Sequence, residues 1–340
     1  MIQECIAKLV EGKNLSEAEA KAAFDEIMRG EATPAQISAF LIGLRVKGET
    51  PGEIAAGVKS MQAVMSAVKP KVKGKLLDTC GTGGDKLNTF NISTAAAFVA
   101  AGAGCIVAKH GNRAVSSGSG SADVLEKLGV KVDLPAEKVA GIIEKVGIGF
   151  LFAPCCHQAM KHAMPVRKEL GVRTIFNILG PLVNPANAET RLVGVYSIEM
   201  AEKIAKALQL VKVEKALVAN GASGKMDELS TLEGENIVFE VAGGKIRKYS
   251  IDAAEFGFRK ASLGELQVKN ADESAAVIRG LLEGREKGAK KEIVLLNAGA
   301  AIYANGKTKT IAKGIKAAEK SIDSGAALKK LEQLKGASNK

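Results

Sequence analysis

Leu76-Leu77-Asp78-Thr79-Cys80-Gly81-Thr82-Gly83-Gly84-Asp85, running on through Asn91-Ile92-Ser93-Thr94, is the stretch that decides the fold. An apolar run ending at Leu77 reads as a strand, three glycines within four residues make a tight turn, and Ser93 to Ala101 reads as a helix. Glycine in such a turn lets the backbone approach a ligand, and the free amides of the turn and helix start attract anions. Thr82, Thr89, Ser93 and Thr94 add hydroxyls. The spacing is that of neither common nucleotide loop: there is no G-x-x-x-x-G-K-[ST], and Gly81 and Gly83 lack the third glycine of a dinucleotide fingerprint. Alone, the stretch reads equally as a structural turn or a phosphate cradle.

The flanking sequence makes the turn part of an alternating pattern. Strand candidates are Lys75 to Asp78, Cys105 to Ala108, Phe150 to Ala153, Arg191 to Tyr196 and Ala216 to Ala219. Between them lie helix candidates Ala122 to Leu128, Ala136 to Val146, His157 to Leu170 and Met200 to Leu208. Alternation of this kind predicts an α/β fold, a mainly parallel sheet flanked by helices, with ligands at the carboxyl ends of strands. Ile237 to Ile251, with Gly243-Gly244 inside it, reads as a hairpin, and the remainder as helical. Thr174 to Pro185 holds too many turn residues for one element and reads as a crossing or hinge.

Upstream, residues 1–68 read as a small all-helical domain, joined by Lys69 to Gly74 to an α/β domain spanning 74–340. Ser16 with Glu19 forms a capping box, and Thr33-Pro34 and Thr50-Pro51-Gly52-Glu53 each set a cap before a proline at the first helical position. So small a unit has little core of its own, and is expected to pack on the larger domain or on a second subunit.

The chain has 340 residues, 46% of them hydrophobic, enough to bury a full core. The longest apolar stretch, Val294 to Ala304, falls short of the ~18 residues a membrane span requires, and a cytoplasmic protein is expected. Five cysteines without a C-x-x-C pair exclude a disulfide framework or zinc ribbon. Cys80, in the glycine turn, is either a space-filling residue or a thiol made reactive by the loop's field. Of the net charge of +11, the segment 281–340 carries +7, from 13 basic and 6 acidic residues. Its lysines alternate with apolar residues at helical spacing beside a single aromatic, Tyr303, so it reads as solvated helix faces with no base-stacking platform. An anionic small molecule would also be steered by a positive field.

A second strand-loop-helix anion site is Lys109-His110-Gly111-Asn112-Arg113-Ala114-Val115-Ser116-Ser117, continuing to Ser121 and Asp123. Lys109 and Arg113 supply charge there, and Asn112 and the serines directional bonds. Two cradles on neighbouring strands suggest a substrate phosphorylated at two ends. Asp227-Glu228 is a helix-start charge pair or, given the loops upstream, a Mg²⁺ site. His157 and His162 lack the H-E-x-x-H spacing of a zinc site, and Arg167 is a surface ion-pair residue or a planar partner for a substrate carboxylate. No G-x-S-x-G elbow occurs, and no cysteine comes with an evident base, so covalent catalysis is not indicated.

Taken together, Gly81 to Asp85, Asn91 to Thr94, Lys109 to Arg113 with Ser116-Ser117, Gly120 to Asp123, Phe152-Ala153-Pro154, Pro165-Val166-Arg167, Phe176 to Leu182 with Asn184-Pro185, and Asp227-Glu228 closely resemble the anthranilate phosphoribosyltransferase family over nearly the whole chain. The resemblance implies transfer of the phosphoribosyl group of 5-phosphoribosyl diphosphate (PRPP) to the amine of anthranilate, in tryptophan biosynthesis. It places PRPP on Gly81, Gly84, Asp85, Thr89, Asn91, Ile92, Ser93, Thr94, Lys109, His110, Gly111, Asn112, Arg113, Ala114, Val115, Ser116, Ser117 and Ser121. It places anthranilate on Gly81, His110, Asn112 and Arg167, and Mg²⁺, two ions per subunit with PRPP bound, on Ser93, Asp227 and Glu228. It also implies a helical domain joined to the α/β domain by hinges, with residues around 165–188 contributing to it, and a homodimer through the helical domain.

Two phrases depart from the family's pattern: Lys225-Met226 stands where a glycine precedes the aspartate, and Ala219-Asn220-Gly221 replaces a histidine-containing phrase. Pyrimidine nucleoside phosphorylase shares the architecture, but Lys109 to Arg113 argues against it. A non-catalytic nucleic-acid-binding relative is favoured by net charge and disfavoured by the intact glycine loop and Asp227-Glu228.

Overall fold

The computed structural model describes residues 1–114 and 118–340. Seven strands form one sheet: β1 (Leu76–Gly81), β2 (Ile106–Gly111), β3 (Ile148–Phe152), β4 (Thr190–Gly194), β5 (Lys215–Asn220), β6 (Asn236–Ala242) and β7 (Lys245–Ile251). Their order is β3-β2-β1-β4-β5-β6-β7, with the first five parallel and β6 and β7 added antiparallel as the hairpin that turns at Gly243-Gly244. β1 sits where strand order reverses, since β2 lies on one side of it and β4 on the other. Open α/β sheets bind ligands at that switch point, outside the carboxyl ends of the strands.

Successive side chains along a strand face opposite ways, and β4, β5 and β6 sort cleanly into two cores. Leu192, Leu217 and Val238 join one core, which contains the helix Ile92–Gly102 and the helix Ala289–Ala304. Val193, Val218 and Phe239 join the other, which contains the helix Ile198–Leu210 and the N-terminal helices. These helices are α1 (Ile2–Val10), α2 (Glu17–Arg29), α3 (Pro34–Lys47) and α4 (Pro51–Val64). Ser16, Thr33 and Thr50 each close a capping box, so three of the four starts form where the sequence marks them. The helical unit packs on the sheet face of its own chain, and Phe24 meets both Phe40 of α3 and Phe176 of the crossing segment edge-on, at 5.2 and 6.1 Å.

Three sequence expectations are corrected. The helix expected over His157 to Leu170 is broken into a 3-10 turn, Gln158–His162, and a helix, Met164–Leu170, because His157 leaves helical backbone at φ −115°, ψ 59°, and Pro165 can only begin a new helix. β1 does not stop at Asp78 but runs to Gly81, since Cys80 and Gly81 pair with Val193 and Gly194 of β4. β2 likewise runs to Gly111, paired with Phe152 of β3, which takes Lys109 out of the following loop and into the strand.

Candidate functional site

The glycine loop leaves β1 at its carboxyl end, as the alternating pattern predicts, and meets the Asp227-Glu228 loop there. The Gly83 amide donates to Asp227 Oδ2 at 2.7 Å. Asp85, Asp227 and Glu228 each offer an oxygen within 4.8 Å of the others, the one group among the described residues able to hold a metal ion by three such side chains. Asp227 is buried and Asp85 and Glu228 are half-buried; burial and the neighbouring Asp85 push the Asp227 carboxyl up to about 7. Burial, with Asp227 and Asp85 beside it, pushes Glu228 well above the carboxylate range. Glu228 Oε2 has no hydrogen-bond partner among the described residues. Three crowded carboxylates, one oxygen of them unsatisfied, form a hard all-oxygen donor set that fits Mg²⁺. Ser93 lines, with Thr79, Glu228 and Asn297, a void of about 10 Å³ behind the carboxylates.

The carboxylate loop is held by long-range contacts that no local sequence signal reports. Asn297, in the middle of the helix Ala289–Ala304, accepts from the Leu229 amide at 3.1 Å and donates to the Leu229 carbonyl at 2.7 Å. Asn220 donates to the Met226 and Val195 carbonyls, and the Gly221 amide donates to the Met226 carbonyl, so the unusual Asn220-Gly221 and Met226 positions brace the loop. Gly194 is required by close approach, because a Cβ there would lie 1.5 Å from the Asp227 carbonyl oxygen.

The second loop is furnished differently. Asp123 accepts from the amides of Ala114 and Gly120, both at 2.9 Å. Arg113 is exposed, bridges Asp123 and Glu126, and lies over the Phe152 ring; its acidic partners raise its pKa further. Asn112 caps its neighbour, accepting from the Arg113 amide at 2.8 Å, and Ser121 Oγ donates to the Asn112 carbonyl. Val115, Ser116 and Ser117 lie outside the described residues. Lys109 does not supply charge to this loop: its ammonium is buried, donates to the Thr79 carbonyl, and lies near Asp78 and Glu228, with burial lowering its pKa.

Asn91 joins the two loops. Its amide oxygen accepts from Ser119 and Ser274 hydroxyls at 2.8 and 2.7 Å. The Ile92 amide is spent on the Phe90 carbonyl, and Thr89 bridges to Gln267. Thr82 Oγ1 and Thr94 Oγ1 are buried without partners among the described residues.

His110, next to last in β2, meets His157, Nε2 to Nε2, at 3.1 Å. His110 Nδ1 faces the Leu151 carbonyl at 2.8 Å and so carries the proton of the neutral ring, leaving its Nε2 unprotonated toward His157. A neutral pair fits the burial, which lowers His110 to about 4 and, with His110 beside it, His157 to about 3. Beneath them the buried Asp78 accepts from the His110 amide and from Asn184 of the crossing segment. Arg167 lies over the Phe176 ring, its guanidinium carbon 5.5 Å from the centroid, and no acidic partner is found for it among the described residues. Cys80 is a packing residue: it is buried in the core shared with the N-terminal helices, its thiol donates to the Pro181 carbonyl, and burial pushes it well above the usual thiol range.

A helical bundle packed on an α/β sheet, with a cluster of three carboxylates at the sheet's switch point, is the architecture that two glycosyl transferase family models match. The family model described as glycosyl transferase family, a/b domain, matches residues 73–328, and that of the helical bundle domain matches residues 3–65. An anthranilate phosphoribosyltransferase of Methanocorpusculum labreanum is 52% identical over 98% of this chain and 97% of its own length. The crystal structure of anthranilate phosphoribosyltransferase from Thermus thermophilus superposes with a TM-score of 0.92 at 42% identity, covering 99% of both chains. That from Saccharomyces cerevisiae, in complex with PRPP and Mg, gives 0.91 at 29% identity over 99% of this chain and 98% of that one. The chain belongs to the anthranilate phosphoribosyltransferase family.

Proposed function

We propose that this protein transfers the phosphoribosyl group of PRPP to the amine of anthranilate, releasing diphosphate. The observation that carries the reading is the Asp85, Asp227 and Glu228 cluster closed against the glycine loop at the sheet's switch point. A metal-assisted displacement on a phosphorylated compound needs an all-oxygen cation site beside an anion loop, and the relative solved with PRPP and Mg supports that pairing.

In this reading the amides of Gly81 to Asp85 and the start of the Asn91 to Thr94 helix take the diphosphate, and Asn112, Arg113 and Ser121 the rest of PRPP. Arg167, a cation without an acidic partner among the described residues, takes the anthranilate carboxylate, and the buried His110 and His157 rings stand as its neutral companions. Mg²⁺ on Asp227, Glu228 and Ser93, two ions in all, would supply positive charge to the leaving diphosphate. The bond from ribose C1 to the diphosphate oxygen breaks as positive charge develops at C1, and the anthranilate nitrogen forms the new bond. Preorganised loop amides favour the charge that develops on the departing group, and the site aligns the amine. An aromatic amine is neutral at pH 7 and sheds its proton readily after bonding, so no strong base is required.

The helical unit, residues 1–68, moves against residues 74–340 about the crossing around 165–188, which contributes side chains to both. The chain forms a homodimer through the helical unit, where Val10 and Val46 leave their side chains about four-fifths exposed on α1 and α3. The setting is cytoplasmic; no helix among the described residues is long and apolar enough to cross a membrane.

Anthranilate fluorescence tests the reaction. It should fall only when protein, PRPP and Mg²⁺ are all present. No fall with folded protein under any condition would overturn the reading.

A further inference from the structure

We infer that Arg173, which lies just before the crossing helix Ile175–Leu179, is a positioning residue for the transfer, holding the glycine loop in the conformation that receives diphosphate. The inference rests on the reaction proposed above. Arg173 Nη2 donates to the Gly83 carbonyl at 2.5 Å and reaches the Thr82 carbonyl at 3.4 Å. Its guanidinium carbon stands 4.4 Å from the centre of the Tyr196 ring, just beyond β4. No acidic partner accompanies it among the described residues, so its charge is directed at the loop. Arg173 and Asp227 thus grip one short turn through opposite groups: the arginine takes the Thr82 and Gly83 carbonyls, and Asp227 takes the Gly83 amide.

Gly84 reports how closely the guanidinium fits. A Cβ there would come within 1.9 Å of Arg173 Nη2, at a backbone φ of +88° that already disfavours any side chain. The third glycine of the loop is required first by that backbone conformation, and a side chain there would also displace the guanidinium. A carbonyl drawn toward a cation is turned away from an anionic ligand, leaving the amides on the ligand's side. The arginine also lies six residues past Arg167, in the segment that packs against the helical unit, so loop geometry and the anthranilate side of the site are set by one short stretch.

The test is steady-state kinetics of Arg173→Ala and Arg173→Lys, with thermal midpoints measured alongside. Charge-assisted bonds to carbonyls of this kind predict a fall of about tenfold to a hundredfold in kcat/KM for PRPP in Arg173→Ala, with KM for anthranilate changed by less than about threefold. Lysine keeps the charge without the fork or the ring stacking and should recover only part of the loss. Tyr196→Leu, which leaves the arginine and removes its platform, is read in the same way and carries the test if Arg173→Ala does not fold. A wild-type enzyme that turns over while folded variants keep wild-type kcat/KM for PRPP overturns the inference and leaves the reaction standing. So does an equal loss toward both substrates that follows the folded fraction. A wild-type protein inert toward PRPP would instead overturn the reaction itself.

Discussion

The loops after β1 and β2 are alike in topology and unlike in how their donors are occupied. Each presents backbone amides at the carboxyl end of a parallel strand, and each has a carboxylate of the chain on those amides. In the second loop that carboxylate is Asp123, local to the helix start, with Arg113 and Glu126 beside it in solvent. In the first it is Asp227, delivered from 144 residues away and buried among Asp85 and Glu228. A local, half-exposed carboxylate paired with an arginine is replaced by a ligand phosphate at little cost. Three carboxylates crowded around a buried Asp227 repel that same phosphate unless a cation joins them. On the proposed reading, the comparison predicts that the first loop depends on the metal and that the second grips by charge alone.

The largest effect should come from removing the charges of the first loop. Asp227→Asn with Glu228→Gln is expected to lower transfer by roughly a thousandfold in the fluorescence assay. The same change relieves like-charge crowding, so the thermal midpoint should hold or rise, and a midpoint that collapses would assign these residues to folding instead. Gly194→Ala forces the Asp227 backbone away and should cost about 1–3 kcal/mol of stability by denaturant titration, with activity falling about a hundredfold. Arg113→Ala touches only the second loop and should raise KM for PRPP about tenfold while leaving the magnesium requirement and the thermal midpoint where they were.

The smallest effect is on stability against pH. His110 and His157 are held neutral in the folded chain, at about 4 and about 3 against 6.5 for an ordinary histidine, so the unfolded chain binds more protons below neutrality. Stability present above pH 6.5 should be lost as pH falls toward 4, by about 1.4 kcal/mol per pH unit for each histidine that charges only on unfolding. His157→Gln should flatten that slope in acid-range denaturant titrations. An unchanged slope would mean the rings already charge in the folded state.

What is legible in the sequence is local. Capping residues fall within three positions of the helices they start, and the strand-loop-helix pattern at Gly81 to Thr94 and at Lys109 to Ser121 gives the parallel sheet and both loops at its carboxyl edge. The first helix, Ile2–Val10, carries no such cap, and only the spacing of Ile2, Cys5 and Leu9 on one face announces it. β1 and β2 end beyond where their apolar runs stop because pairing with β4 and β3, which no local signal reports, carries Cys80 and Lys109 into the sheet. Asp227-Glu228 is visible as a candidate pair, but the joining of Asp85 to it is not, nor is the brace on Leu229 from Asn297, 68 residues beyond it. His157 stands in the sequence without a partner, and only the fold brings it to His110.

The most direct test of the contrast between the loops is calorimetric titration of PRPP into the protein with Mg²⁺ and with a chelator, for the wild type and for Asp227→Asn with Glu228→Gln. The account predicts tight binding by the wild type only with Mg²⁺, and in the double variant weak binding that no longer responds to the metal. Equal affinity for PRPP with Mg²⁺ and with chelator in the wild type would contradict it.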